Sequence, residues 1–131
     1  MLRRLLAMCA ALLVVVATAA AAGVRLHGTF QTVIAKAPNA QLVGIWQIAL
    51  QTNGRYTIER NGAVVIRGRG TQTATTITFG HETGPAACTG AQATATYHWS
   101  LHAGEAVLKT AHDACAGRRL VLTTHPLLKT G

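Results

Sequence analysis

The chain has 131 residues, half of them hydrophobic, with 12 Lys and Arg against 4 Asp and Glu and a net charge of +8. That length leaves room for one domain, and no basic run interleaved with stacking aromatics marks it as a nucleic-acid binder. The charge favours anionic surfaces or ligands instead, such as a cell-wall polymer, a lipid head group or a carboxylate-bearing small molecule.

The N-terminus reads as a signal peptide over residues 1–22. Arg3 and Arg4 precede the apolar run Leu5 to Val16, and Ala17 to Ala22 offer small-residue cleavage sites, the three parts an export signal requires. Retention as a membrane anchor is the alternative, because the run is just long enough to cross a bilayer. A lipidated Cys9 is set aside, since most of the apolar stretch follows it. Cleavage leaves residues 23–131 as a single extracytoplasmic or secreted domain carrying ten Lys and Arg against four carboxylates, a net charge of +6.

The mature chain shows no sustained helical periodicity. Thr, Val and Ile recur between Gly-containing turns about every ten residues, the spacing of a β-sandwich or barrel. Strands are expected at Arg25 to Ile34, Leu42 to Gln51, Arg55 to Arg60, Ala63 to Gln72, Thr75 to Gly80, Ala93 to His102, Glu105 to His112 and Arg118 to Thr124. Turn signals at Asn53-Gly54, Asn61-Gly62, Ala103-Gly104 and Ala116-Gly117 join them as antiparallel hairpins.

Two hairpins allow their registers to be read. In the strand from Leu42, residues Leu42, Gly44, Trp46, Ile48 and Leu50 share the core face. A two-residue turn at Asn53-Gly54 would set Ile48 against Glu59. A three-residue loop with Gly54 left-handed instead sets Leu50 against Tyr56 and Ile48 against Ile58, and is the register expected. A two-residue turn at Ala103-Gly104 sets Trp99 against Leu108 and Leu101 against Ala106, with Tyr97, Trp99 and Leu101 pointing inward. The same register brings Cys115 close to the segment that carries Cys88. These two cysteines alone survive removal of the leader, and in an oxidising compartment they are expected to form a disulfide.

Gly44-Ile45-Trp46, with Arg118 or Arg119 near the chain end, resembles the lipocalin-like or calycin barrels. In these a Gly-x-Trp opens the first barrel strand and an arginine near the last strand packs on the tryptophan. Gly54 to Ile58, Tyr97-His98-Trp99 and Asp113 to Arg118 are similar to compact lipocalin-like domains of bacterial exported proteins, over a core of about residues 42–124. The resemblance implies a small up-and-down antiparallel β-barrel of about eight strands. Gly44, Trp46 and Arg118 would be structural, with Trp46 and Arg118 as a cation-π lock. It also implies a small, mainly hydrophobic or amphipathic ligand inside the barrel, to which an anionic group would be suited by the basic charge. Trp46, Tyr56, Phe79, Tyr97, Trp99 and Leu101 are the candidate lining residues, with Ile48 and Ile58 beside them. Core packing is the plainer alternative for each and the favoured role for Trp46 and Ile58, while Tyr56, Tyr97 and Trp99 carry polar tips that need a partner when buried and are the stronger ligand contacts.

No metal site and no cofactor are expected. His98 and His102 lie about 13 Å apart along one strand, beyond chelating distance, with Lys109 beside His98. His102 with Glu105 reads as a surface pair, and Asp113 as an acceptor positioning its loop. The four mature carboxylates read as isolated, so catalysis is not expected, although some related barrels are cyclases that work by shape. A secreted protein-binding barrel, such as a protease inhibitor, is the alternative. It would present an arm at Ala35 to Ala40 or Gly80 to Gly90, and a filled interior would favour it over a carrier.

Overall fold

A computed structural model describes residues 24–131; the leader expected over 1–22 lies outside the described residues. Eight strands pair in chain order and close into an antiparallel barrel: β1 (Gly28–Ile34), β2 (Gly44–Leu50), β3 (Arg55–Arg60), β4 (Ala63–Gln72), β5 (Thr76–Thr83), β6 (Ala95–His102), β7 (Glu105–His112) and β8 (Leu127–Lys129). One short helix, α1 (Ala116–Thr123), lies between β7 and β8. The expected all-β up-and-down barrel is therefore the fold.

Both hairpin registers match the side-chain alternation. Leu50 faces Tyr56 and Ile48 faces Ile58 across β2 and β3, with Gly54 left-handed at φ 85° in the connecting loop. Trp99 faces Leu108 and Leu101 faces Ala106 across β6 and β7. The inward positions fill the barrel. Phe30, Ile34, Ile48, Tyr56, Phe79 and Tyr97 are at most 2% exposed.

The last strand differs from expectation. Arg118 to Thr124, read as a strand from its β-branched residues, is mostly α1, and the eighth strand is Leu127–Lys129 instead. Arg118, Val121 and Leu122 are its buried residues, an i, i+3, i+4 stripe too short to register as sustained periodicity. Ala116-Gly117, read as a turn, is the start of this helix.

β5 also runs beyond its expected end at Gly80. Between the pairs Arg67 with Thr83 and Arg69 with Gly80, β5 carries two residues, His81 and Glu82, where β4 carries only Gly68. This is a β-bulge, which re-aims side chains. His81 takes φ 50°, and the phase of β5 reverses. Ile77 and Phe79 point inward, His81 points out, and Glu82 turns into the core.

Candidate functional site

Buried polar chemistry gathers at the end of the barrel where β5 leaves, β6 begins and β7 stops. Arg118, at the start of α1, is its centre. The guanidinium donates from Nε to Asp113 Oδ2 (2.9 Å), from Nη1 to Glu82 Oε1 (2.9 Å) and the Ala93 carbonyl (3.1 Å), and from Nη2 to Asp113 Oδ1 (2.9 Å) and the Gln92 carbonyl (2.8 Å). An arginine has five N–H donors in a rigid fork, and here every one is used. The side chains of Arg118, Glu82 and Asp113 are 1%, 0% and 0% exposed.

Two tyrosines and two backbone amides complete the carboxylates' shells. Tyr56 donates to Glu82 Oε1 (2.8 Å) and Tyr97 donates to Asp113 Oδ2. The amide of Cys88 donates to Glu82 Oε2 (2.8 Å) and that of Cys115 to Asp113 Oδ1 (2.8 Å). The two half-cystines so held are joined to each other, with their Cα atoms 6.2 Å apart.

The electrostatics follow from this geometry. Burial alone would push the Asp113 carboxyl up, but hydrogen bonds from Arg118, Tyr97 and the Cys115 amide outweigh it and hold it below the ordinary carboxylate value. Burial also opposes the charge on Arg118, and its bonds to Asp113 and Glu82 overcome that, raising its affinity for the proton. Burial and the neighbouring carboxylates drive both phenols well above the ordinary tyrosine value. The cluster is thus one cation, two anions and two neutral phenols, sealed from solvent. It has no access for a reactant; what it can do is hold chain segments in place.

The segment it holds is the β5–β6 connection. Gly84, Pro85, Ala86, Thr89, Gly90, Ala91 and Gln92 are exposed, while Cys88 is buried at 5%. Beneath this exposed surface the loop is pinned by the disulfide, by Glu82 on the Cys88 amide, by Arg118 on the Gln92 and Ala93 carbonyls, and by Ala86 N donating to the Val65 carbonyl (3.1 Å). The other expected arm, Ala35 to Ala40, leads into a single 3-10 turn over Ala40–Leu42 capped by the Asn39 side chain.

Of the expected lining residues, Trp46, Tyr56, Phe79 and Tyr97 belong to the packed core, and Trp99 and Leu101 pack against it half-buried. Phe79 stands edge-on between Tyr56 and Tyr97, with centroids 5.1 and 5.9 Å away. A void of about 80 Å³ is lined by Trp46, Ile58, Ile66 and Arg118. At the opposite mouth a depression of about 340 Å³ is walled by Arg25, Arg55, Leu50 and Phe79. Leu26 closes that mouth at 2% exposure, tied down by Gln72, which accepts from its amide (2.9 Å) and donates to its carbonyl (2.7 Å).

Several expected roles change. Trp46 and Arg118 border the same void, but the guanidinium is spent on carboxylates and carbonyls, and the Trp46 indole donates to the Leu42 carbonyl (2.8 Å). Gly44-Ile45-Trp46 opens β2, the second strand. Gly44 is needed at φ 145°, where a Cβ would stand 2.8 Å from Asn61 Oδ1. Asp113 positions its loop through the Cys115 amide as expected, yet it and Glu82 are partners on one arginine, not isolated carboxylates. His102 faces Glu105 across the hairpin and His98 faces Lys109. Glu82 carries no signal in the sequence pattern, because strict alternation from Ile77 and Phe79 would put His81 inside. Among the described residues no group of three or more His, Cys, Asp and Glu side chains is placed to hold a metal ion.

In comparisons with known proteins, no family model, curated protein or solved structure matches the chain.

Proposed function

We propose that the mature chain is an extracytoplasmic binding barrel of the lipocalin-like kind that engages a protein partner through the Gly84-to-Ala93 loop. The observation that carries this is the contrast between a filled interior and a rigidly held exposed loop. Ligand pockets usually measure about 300–1,000 Å³, well above the 80 Å³ void beside Trp46. A loop fixed in advance loses little freedom on binding, which is how preorganised recognition segments gain affinity. The eight-strand antiparallel closure and the Gly-x-Trp at Gly44 to Trp46 support placing the chain among the calycin barrels.

A photoreactive residue at Ala91 tests the proposal in the exported fraction of the native cells, with Ala103 at the far end of the barrel as control. The expected result is one captured protein at Ala91 and none at Ala103. Unlabelled protein should compete for it, and unlabelled protein with Thr89 to Gln92 replaced by Gly and Ser should not. Equal capture at both positions would overturn the proposal.

Carriage of a small amphipathic ligand is the second reading. It is favoured by the depression at the opposite mouth, where Arg25 and Arg55 stand over Leu26 and Phe79. Displacing Leu26 would open that depression towards the core. Native mass spectrometry of the protein from its own medium would reveal a co-purifying small molecule if this reading holds.

A further inference from the structure

The outer wall of β3, β4 and β5 carries a cluster of cations that neither the core nor the loop employs. Arg55 and Arg69 face each other directly across β3 and β4, and Arg67 faces Thr57 in the same ladder. Like charges directly opposite one another on a sheet repel and destabilise the pair. Arg67 and Arg69 are two residues apart on one face, about 7 Å along the strand. All three arginines are exposed, and among the described residues no carboxylate pairs with them, the ion pairs being those of Arg118 with Glu82 and Asp113. The nearest carboxylate along β3 is Glu59, which stands opposite Val64.

His81 joins the cluster because of the bulge. Its left-handed φ of 50° is uncommon for a non-glycine residue, and strain of this kind gathers at functional sites. The same irregularity that turns Glu82 inward puts His81 outside, where it lines a depression of about 440 Å³ with Arg55, Arg67, Arg69, Thr57 and Thr83. Guanidinium forks with flanking hydroxyls and a ring N–H form a donor set matched to phosphate-type oxyanions.

The geometry points to this wall as a binding site for a linear phosphate-bearing polymer, running along β4 with successive anionic groups on Arg69 and Arg67 and Arg55 closing on the first. A membrane surface fits less well, because only Val64 of the exposed large apolar residues is on this wall, three residues from Arg67 at the far end of β4, while Val33, Ile45, Val107 and Leu128 lie on other strands. A nucleic acid fits less well too, since the aromatic ring beneath the patch, Tyr56, is buried and unavailable for stacking. This inference goes beyond loop recognition and stands independently of it.

The test is fluorescence anisotropy of labelled linear polyphosphate with the full mature protein at 50 mM and 200 mM salt. Saturable binding is expected, weaker by roughly twentyfold at the higher salt, as three contacts to a single-stranded polyanion imply. Arg67→Gln with Arg69→Gln should lower affinity at least tenfold without lowering the Tm, since it relieves the repulsion between Arg69 and Arg55. Lys36→Gln with Lys109→Gln removes the same charge from exposed positions elsewhere and should leave affinity within twofold. Equal losses in the two double variants would reduce the effect to net charge and overturn the site. So would absence of binding at 50 mM salt, or binding to anionic vesicles that outcompetes the polymer.

Discussion

Arg118 shows how a buried charge is made tolerable. Removing a guanidinium from water costs several kcal/mol, and the geometry must return it through complete hydrogen bonding; five donors meet five acceptors here. Truncation leaves Glu82 and Asp113 facing each other without a cation. Arg118→Met is therefore expected to destabilise the fold by about 3–5 kcal/mol, read as a shift in the urea midpoint. Adding Asp113→Asn to that variant should recover part of the loss by removing one stranded charge. An additive loss in the double variant would mean that Arg118 acts through packing alone.

The tyrosines give this cluster a signature in pH. Because Tyr56 and Tyr97 hold their protons more tightly when folded, their stabilisation is complete below about pH 10, where unfolded tyrosine ionises. As pH rises above 10 the unfolded chain releases protons that the native state keeps. Stability should then fall by about 1.4 kcal/mol per pH unit for each tyrosine, and Tyr97→Phe should remove one share of that slope. Asp113 acts in the opposite direction. Its folded value is depressed, so its contribution is present above the ordinary carboxylate range and is lost as pH falls through that range and then through the folded value.

At the scale of elements, the bulge in β5 links the interior to the exterior. It sends Glu82 to Arg118 and His81 to the arginines outside, and Gly68 makes room for it. A Cβ on Gly68 would stand 2.4 Å from the Tyr56 hydroxyl oxygen and 2.8 Å from the Gly80 carbonyl oxygen. Gly68→Ala should cost about 1–3 kcal/mol, the usual penalty of overpacking, and flatten the alkaline slope by displacing the Tyr56 phenol from Glu82. Thermal melts at pH 7 and pH 10.5 would measure both effects.

The bulge also marks where the sequence stops being legible. Alternation alone sufficed for the β2–β3 hairpin and for β6 and β7 from their turn to Tyr97, where Leu50 with Tyr56 and Trp99 with Leu108 follow from turn length and side-chain period; beyond Tyr97 the β6–β7 register shifts by one residue. It failed at His81-Glu82, because one extra residue inverts the face of everything after it. It failed again at Arg118 to Thr124, where an eight-residue helix with three buried positions has the same composition as a strand. Both failures fall on the buried ion-pair cluster, so Asp113 could be read as a loop anchor and Arg118 as a partner of Trp46, while the pairing of the two and their companion Glu82 went unseen.

For the molecule as a whole, the disulfide and the arginine cluster act on the same end of the barrel. The Cys88–Cys115 link spans 27 residues and encloses β6 and β7. Reduction should lower stability by about 3–4 kcal/mol on the chain-entropy estimate, and hydrogen exchange should accelerate first at Cys88 and across the exposed loop, with the β2–β3 hairpin least affected. Uniform acceleration over all strands would show that the bond staples the whole barrel and does not serve the loop in particular.

The central claim is that recognition lies outside a filled barrel. It is tested most directly by titrating the oxidised protein with an apolar fluorescent probe of fatty-acid size while native mass spectrometry follows the complex. The account predicts no saturable enhancement and a single mass equal to the mature chain less the two hydrogens of the disulfide. One probe bound per chain, displaced by an extract of the native medium and abolished by Phe79→Trp, would contradict it.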